Sequence, residues 1–196
     1  MPGDYVDKPT RIVSRQRTPL SPWVSLDTVS VAGTEAPEKV EVFHALHQAD
    51  YVHVLPMTSS GSFILVRQYR PVIESWTLEL RGGLRDAGET PGATAARELK
   101  EETGFEAVEL IPLIDCHADV GRLSNRFYGF FAVVRPVTEP EKGISPVLLT
   151  GEELRETAAE GRIASADHVG LLYLAAVHPQ VQKLCHQFCY TAPPWI

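Results

Sequence analysis

The chain has 196 residues, 44% of them apolar and 22% charged, with a formal charge of −7. That length supports one sizeable core with little room for a second independent domain. The acidic balance, without any dense Lys/Arg block, excludes a general nucleic-acid binder.

No apolar run is long enough to span a bilayer, and the start at Met1-Pro2-Gly3-Asp4 has no secretory character, so a cytoplasmic protein with no membrane partner is expected. Cys116, Cys185 and Cys189 form no disulfide framework. The Cys185/Cys189 pair beside His186 reads as reduced thiols rather than a zinc site. Residues 1–22 are polar, carry Pro9, Pro19 and Pro22, and read as a loosely held arm. Residues 23–50 alternate as an N-terminal β extension, with strands over 23–31 and 40–47; residues 51–196 form the main domain. A strand over 51–56 follows the tight connection 48–50, then a turn at 59–62 and a central strand over 63–68. Pro71 ends that strand, and residues 76–80 lead to Gly82-Gly83, whose spacing is not a nucleotide-binding fingerprint. Residues 94–103 are rich in helix formers, with Thr90 as N-cap, Pro91 in the first turn and Gly104 as C-cap. Strands over 108–115 and 127–134 flank a polar loop at 119–125, and a second loop at 136–146 carries Glu139 and Glu141. Helices follow over 151–159 and 167–177, the second running on toward Pro193. This order predicts an α/β fold, a mixed sheet with helices on both faces rather than a doubly wound parallel sheet.

Within the central helix, Glu98, Glu101 and Glu102 stand at i, i+3 and i+4 and share one face. Carboxylates that close repel unless something positive lies between them. A hard divalent cation with oxygen ligands, Mg²⁺ above all, is the simplest compensator, and such a site acts on phosphates. A solvated acidic face paired with Arg97 and Lys100 accounts for some of the charge but not for the glycine turn and Glu89 ahead of it.

Gly83, five residues, Glu89, seven residues, then Arg97-Glu-Leu-Lys-Glu-Glu-Thr-Gly-Phe105 resembles the complete signature of the Nudix hydrolases. The flanks, Phe63-Ile-Leu-Val-Arg-Gln-Tyr-Arg-Pro71 and Trp76-Thr-Leu-Glu-Leu80, resemble the ADP-ribose and nucleoside-diphosphate-sugar pyrophosphatase branch. The resemblance implies a Nudix-type α/β/α sandwich with a mixed β-sheet and an N-terminal β extension. It also implies Mg²⁺-dependent hydrolysis, with Mn²⁺ as substitute, of a small nucleotide substrate such as ADP-ribose. The ligands implied are Gly83, Glu98, Glu101 and Glu102, with Arg97 holding Glu89, and a general base that is Glu102, Glu139 or Glu141. Substrate candidates are Trp23, Arg67, Arg70, Glu79 and Arg81, with Arg81 either reaching a phosphate or neutralising the acidic cluster. Trp76 is read as packed. A homodimer built through the N-terminal strands is also implied. Two departures stand out. Glu79-Leu80-Arg81-Gly82-Gly83 replaces the branch's usual Glu-Leu-Pro-Ala-Gly, and Val120 stands where a proline often precedes the loop glycine. They leave open another nucleotide substrate (NADH, a dinucleotide or a nucleoside triphosphate), or a nucleotide-sugar sensor that does not cleave.

Overall fold

The computed structural model describes residues 10–33, 36–139, 144–187 and 193–195. They fall into two compact units, residues 1–49 with 117–125 and residues 50–116 with 126–196.

The first unit holds β1 (Thr10–Pro19), β2 (Ser25–Gly33) and β3 (Val40–His47), paired antiparallel in that order. Residues 10–19 are therefore a strand and not a loose arm. Pro19 closes that strand and Pro22 lies past its end, where a missing N–H interrupts no ladder. A fork from Arg17 onto Asp27, at 2.7 and 2.9 Å, ties β1 to β2. Trp23 precedes β2 and is 73% exposed.

The second unit holds β4 (Tyr51–Thr58), β5 (Phe63–Arg70), β6 (Ser75–Glu79), β7 (Arg81–Leu84), β8 (Phe105–Cys116), β9 (Phe127–Pro136) and β10 (Ser145–Leu149). Its helices are α1 (Pro91–Thr103), α2 (Gly151–Ala159), α3 (Ala166–Val177) and α4 (Pro179–Gln187). The strands form one mixed sheet ordered β10-β5-β4-β9-β8, with β6 added to β5 and β7 to β4. Only the β4–β9 pair is parallel among the described pairings.

The pleat sorts this sheet into two faces. Val52, Val54, Ile64, Phe130 and Ala132 pack with Ala95 and Leu99 of α1. Leu55, Met57, Phe63, Leu65 and Phe131 pack instead with Leu154 of α2, Leu171 and Leu172 of α3, and Val181 of α4. Helices cover both faces, as the order of elements predicts.

Two features differ from expectation. Residues 145 and 146, read as the end of a loop, instead open the edge strand β10; five residues containing Pro146 carry little periodic signal, and a proline is tolerated at an edge. The tail does not prolong α3, because His178 is extended (φ −75°, ψ 123°) before Pro179 and a separate α4 begins there. Glu141 and Cys189 lie outside the described residues. No helix among the described residues is long and apolar enough to cross a membrane.

Candidate active site

Helix α1 starts where local chemistry dictates. Thr90 Oγ1 accepts the Ala93 N–H at 3.3 Å, Pro91 follows, and Gly104 ends the helix at φ 76°. Burial of Ala95 and Leu99 fixes the helix's rotation about its axis. The 100° step per residue then sets Glu98 and Glu102 at the margin of the buried stripe and Glu101 further out. Their side chains are 13%, 15% and 53% exposed, respectively.

Strand β7 faces these carboxylates. Gly82 and Gly83 pair with His53 and Val52 of β4, so their backbone positions are set by the sheet. A Cβ on Gly83 would overlap the Glu98 carboxylate itself, which sits against the bare α-carbon. A Cβ on Gly82 would instead strike the backbone carbonyl of Val52. The two glycines therefore serve different ends. Gly83→Ala is expected to cost under about 1 kcal/mol of stability, because a flexible side chain can yield. Gly82→Ala should instead unfold the protein at a measurably lower temperature. Thermal melts on both variants check this; equal losses of stability in the two would refute it.

Arg97 organises the acidic turn. Its Nε and Nη2 fork onto Glu89 at 3.0 and 3.1 Å, while Nη1 donates to Glu98 at 2.8 Å and to Glu101 at 3.2 Å. Thr94 Oγ1 adds a bond to Glu89 at 2.8 Å. The Arg97 bonds, with that of Thr94, hold the Glu89 carboxyl down at about 2, and Glu89 in turn raises the Arg97 guanidinium. The loop bearing Glu89 is fastened by Arg85, which bonds Asp50 Oδ2 at 2.6 Å and the Glu89 carbonyl at 3.0 Å.

Arg81 is buried, with a side chain 3% exposed, and its guanidinium ion-pairs with Glu102; Nη2 also donates to the Gly82 carbonyl at 3.3 Å. Arg70 forks onto Glu79, with Nε to Oε1 at 2.7 Å, and Thr77 Oγ1 donates to the same carboxylate at 2.6 Å. Burial pushes the Glu79 carboxyl up, but the Arg70 and Thr77 bonds outweigh it and hold the group at about 2. Arg67 lies over the Trp76 ring, 4.5 Å from its centroid, and Tyr69 packs edge-on to the same ring. Trp76, expected to pack, is 58% exposed because β6 hangs on the half of β5 beyond the buried stretch. Glu139 is exposed after β9.

One cluster escapes sequence reasoning. His53 of β4 and Asp167 and His168 of α3 bring one ligating atom each within 4.8 Å of the others. Burial drives both imidazoles toward the neutral form, and Asp167 pulls the other way. The Leu80 N–H donates to His168 Nδ1 at 3.4 Å, which leaves the ring proton on Nε2 and removes the lone pair a metal would need there. Only tertiary structure joins these residues, so spacing carries no signal for them.

The NUDIX domain family matches residues 47–181. The chain is 34% identical over 91 residues to "ADP-ribose pyrophosphatase" of Bacillus subtilis, a stretch covering 46% of this chain and 49% of that protein. It thus spans about half the length of that relative. It is 30% identical over 151 residues to "CMP-5'-(N-acetyl-N-hydroxy-3-aminopropyl)phosphonate hydrolase" of Streptomyces rubellomurinus, covering 74% of this chain and 73% of that protein. Among solved structures, one described as "Crystal structure of ADP compounds hydrolase" superposes with a TM-score of 0.73 at 22% identity, over 84% of this chain and 91% of that one. That likeness is one of fold.

Proposed function

The chain belongs to the Nudix family, and on that premise we propose that it hydrolyses the pyrophosphate bond of ADP-ribose or a related nucleoside diphosphate sugar with Mg²⁺, giving a nucleoside monophosphate and a sugar phosphate. The observation that carries this reading is the acidic turn of α1 seated on Gly83, with Arg97 joining Glu89, Glu98 and Glu101.

The donor set fits a hard divalent ion. It is all oxygen, and the Glu98 carboxylate fills the place a Cβ on Gly83 would take. Glu98, Glu101, Glu102 and the Gly83 carbonyl would hold the ion, with Mn²⁺ accepted by the same ligands. When bound, Mg²⁺ polarises a phosphoryl oxygen and makes hydroxide available at neutral pH. Arg97 keeps Glu98 and Glu101 oriented through charge-assisted bonds, and Glu89 keeps Arg97 in place. Arg70 and Arg81 are committed to Glu79 and Glu102, whereas Arg67 has no ion pair among the described residues and presents a guanidinium over an exposed indole. That pairing suits a phosphate beside a base, and Trp76 joins Trp23 as a stacking candidate. A homodimer through the first three strands belongs to the same reading, supported by the exposed Val40, Val42 and Phe43 of β3.

The deciding experiment is a hydrolysis panel with Mg²⁺ and product identification by chromatography. It takes in ADP-ribose, other nucleoside diphosphate sugars, NADH, a dinucleotide, a nucleoside triphosphate and a CMP-linked phosphonate, the last because of the relative matched over 151 residues. AMP and ribose 5-phosphate from ADP-ribose are expected. Preference for a compound outside the diphosphate sugars would overturn the substrate assignment, and bound but intact ADP-ribose after hours would make the protein a sensor. Sedimentation of the same preparation reads its oligomeric state.

A further inference from the structure

This inference rests on the metal-binding reading of the acidic turn. We propose that His168 is a positioning residue for that site: its Nδ1 takes the Leu80 N–H where the chain crosses from β6 to β7, and so fixes the strand that carries Gly83 against Glu98.

The crossover is a weak point of the sheet. Up to Glu79, opposite Val66, the chain pairs with β5; from Arg81, opposite Val54, it pairs with β4. Leu80 belongs to neither register and is 2% exposed, so its N–H needs an acceptor from outside the sheet. Helix α3 supplies one. His168, in the first turn of that helix and 1% exposed, accepts the Leu80 N–H at 3.4 Å. The segment leading into α3 makes a matching contact, for the Ala164 N–H donates to the Leu78 carbonyl at 3.4 Å and Ile163 bridges to Leu78. Both neighbours of Glu79 are thus anchored to one stretch of chain beyond the sheet.

The imidazoles also back the strand itself. His53 stands opposite Gly82, and its ring centroid lies 4.3 Å from that of His168. A Cβ on Gly82 would crowd the His53 ring, whereas one on Gly83 would overlap the Glu98 carboxylate. Successive residues of β7 therefore meet the histidine pair on one side and the acidic turn on the other. Burial favours the neutral His168 ring, the form whose Nδ1 can accept. Without that acceptor β7 loses its hold one residue before it begins, and Gly83 with the Glu98 seated on it can drift. Spacing gives no sign of this role, because His168 lies 88 positions from Leu80.

The test sets His168→Asn, whose Oδ1 stands where Nδ1 does, against His168→Gln and His168→Leu, which place no acceptor there. Hydrogen exchange at the Leu80 amide reads the anchor, and the free-ion electron paramagnetic resonance signal of Mn²⁺ reads the site. In the Gln and Leu variants Leu80 should exchange about tenfold faster or more, and Mn²⁺ should bind about tenfold weaker, the usual scale for losing a group that orients a ligand. His168→Asn should stay within about threefold of the parent on both counts. A role in folding alone would lower the melting temperature of all three without dividing them in this way. Unchanged Leu80 exchange or unchanged Mn²⁺ affinity in the Gln and Leu variants would overturn the proposal, as would equal recovery by Gln and Asn. Should the Leu variant fail to fold, the comparison of Asn with Gln decides. A parent that binds no Mn²⁺ sinks both this proposal and the metal site. A parent whose binding is abolished by Glu98→Gln, but unchanged by His168→Gln, sinks this proposal alone.

Discussion

Glu98→Gln should leave the protein folded and lower kcat on the best panel substrate by about 1,000-fold or more, equivalent to about 4 kcal/mol of transition-state stabilisation. The side chain is nearly isosteric, so α1 keeps its cap, its Ala95 and Leu99 packing and its Gly104 terminus. What changes is charge. Glu98 is the carboxylate pressed on Gly83 and the closest partner of Arg97 Nη1, at 2.8 Å. A neutral amide there weakens the hold on a dication and puts an N–H₂ where an acceptor is required. Circular dichroism with steady-state kinetics over a range of Mg²⁺ checks the expectation. Parental turnover in a folded Glu98→Gln protein would remove the acidic turn from the mechanism.

The second large effect concerns stability. Arg70→Leu should destabilise the fold by about 2 kcal/mol at neutral pH. Removing one partner of a buried pair costs more than that, but solvent screening of a half-exposed arginine reduces it. The Glu79 side chain is 8% exposed and would retain the Thr77 hydroxyl as its bond beyond the lost fork. The pH dependence gives this a sharper form. Glu79 is held at about 2 in the folded protein against an ordinary 4.5, so its contribution is fully present above the unfolded value. That contribution is lost as pH falls through the folded value. The gap between parent and Arg70→Leu should therefore be largest at neutral pH and narrow as pH falls below about 4.5 toward 2. Urea titrations at pH 7 and near pH 3 measure it. A gap as large in acid as at neutrality would show that Arg70 acts through packing and not through the carboxylate.

Local signals carried far in this chain. Thr90, Pro91 and Gly104 fix the limits of α1 through rules that act within a few residues, and the glutamate spacing on that helix is plain before any coordinates. Gly83 is similarly legible, although the tight contact turns out to be with the Glu98 side chain. What stayed hidden depends on register between distant segments. Arg81 meets Glu102 because β7 lies beside β4, beneath α1, and no pattern around residue 81 encodes that. Arg70 and Glu79 read as separate substrate candidates, and only the β5–β6 pairing shows them bonded to one another. His53, Asp167 and His168 come from opposite ends of the second unit and from two kinds of element. Trp76 reads as core by residue type, and only its place opposite Tyr69 shows it exposed.

The parallel pairing of β4 with β9 has a consequence for how the protein is made. Helix α1 docks on a surface supplied partly by Val52 and Val54 and partly by Phe130, Ala132 and Val134. During synthesis the glutamates emerge well before the second half of that surface exists. A nascent chain halted before residue 127 has the glutamates but only part of the platform beneath them, and closing so long a loop is intrinsically slow. On the proposed function, competence for divalent ions is then a late event in the life of the polypeptide, acquired when β9 slots beside β4.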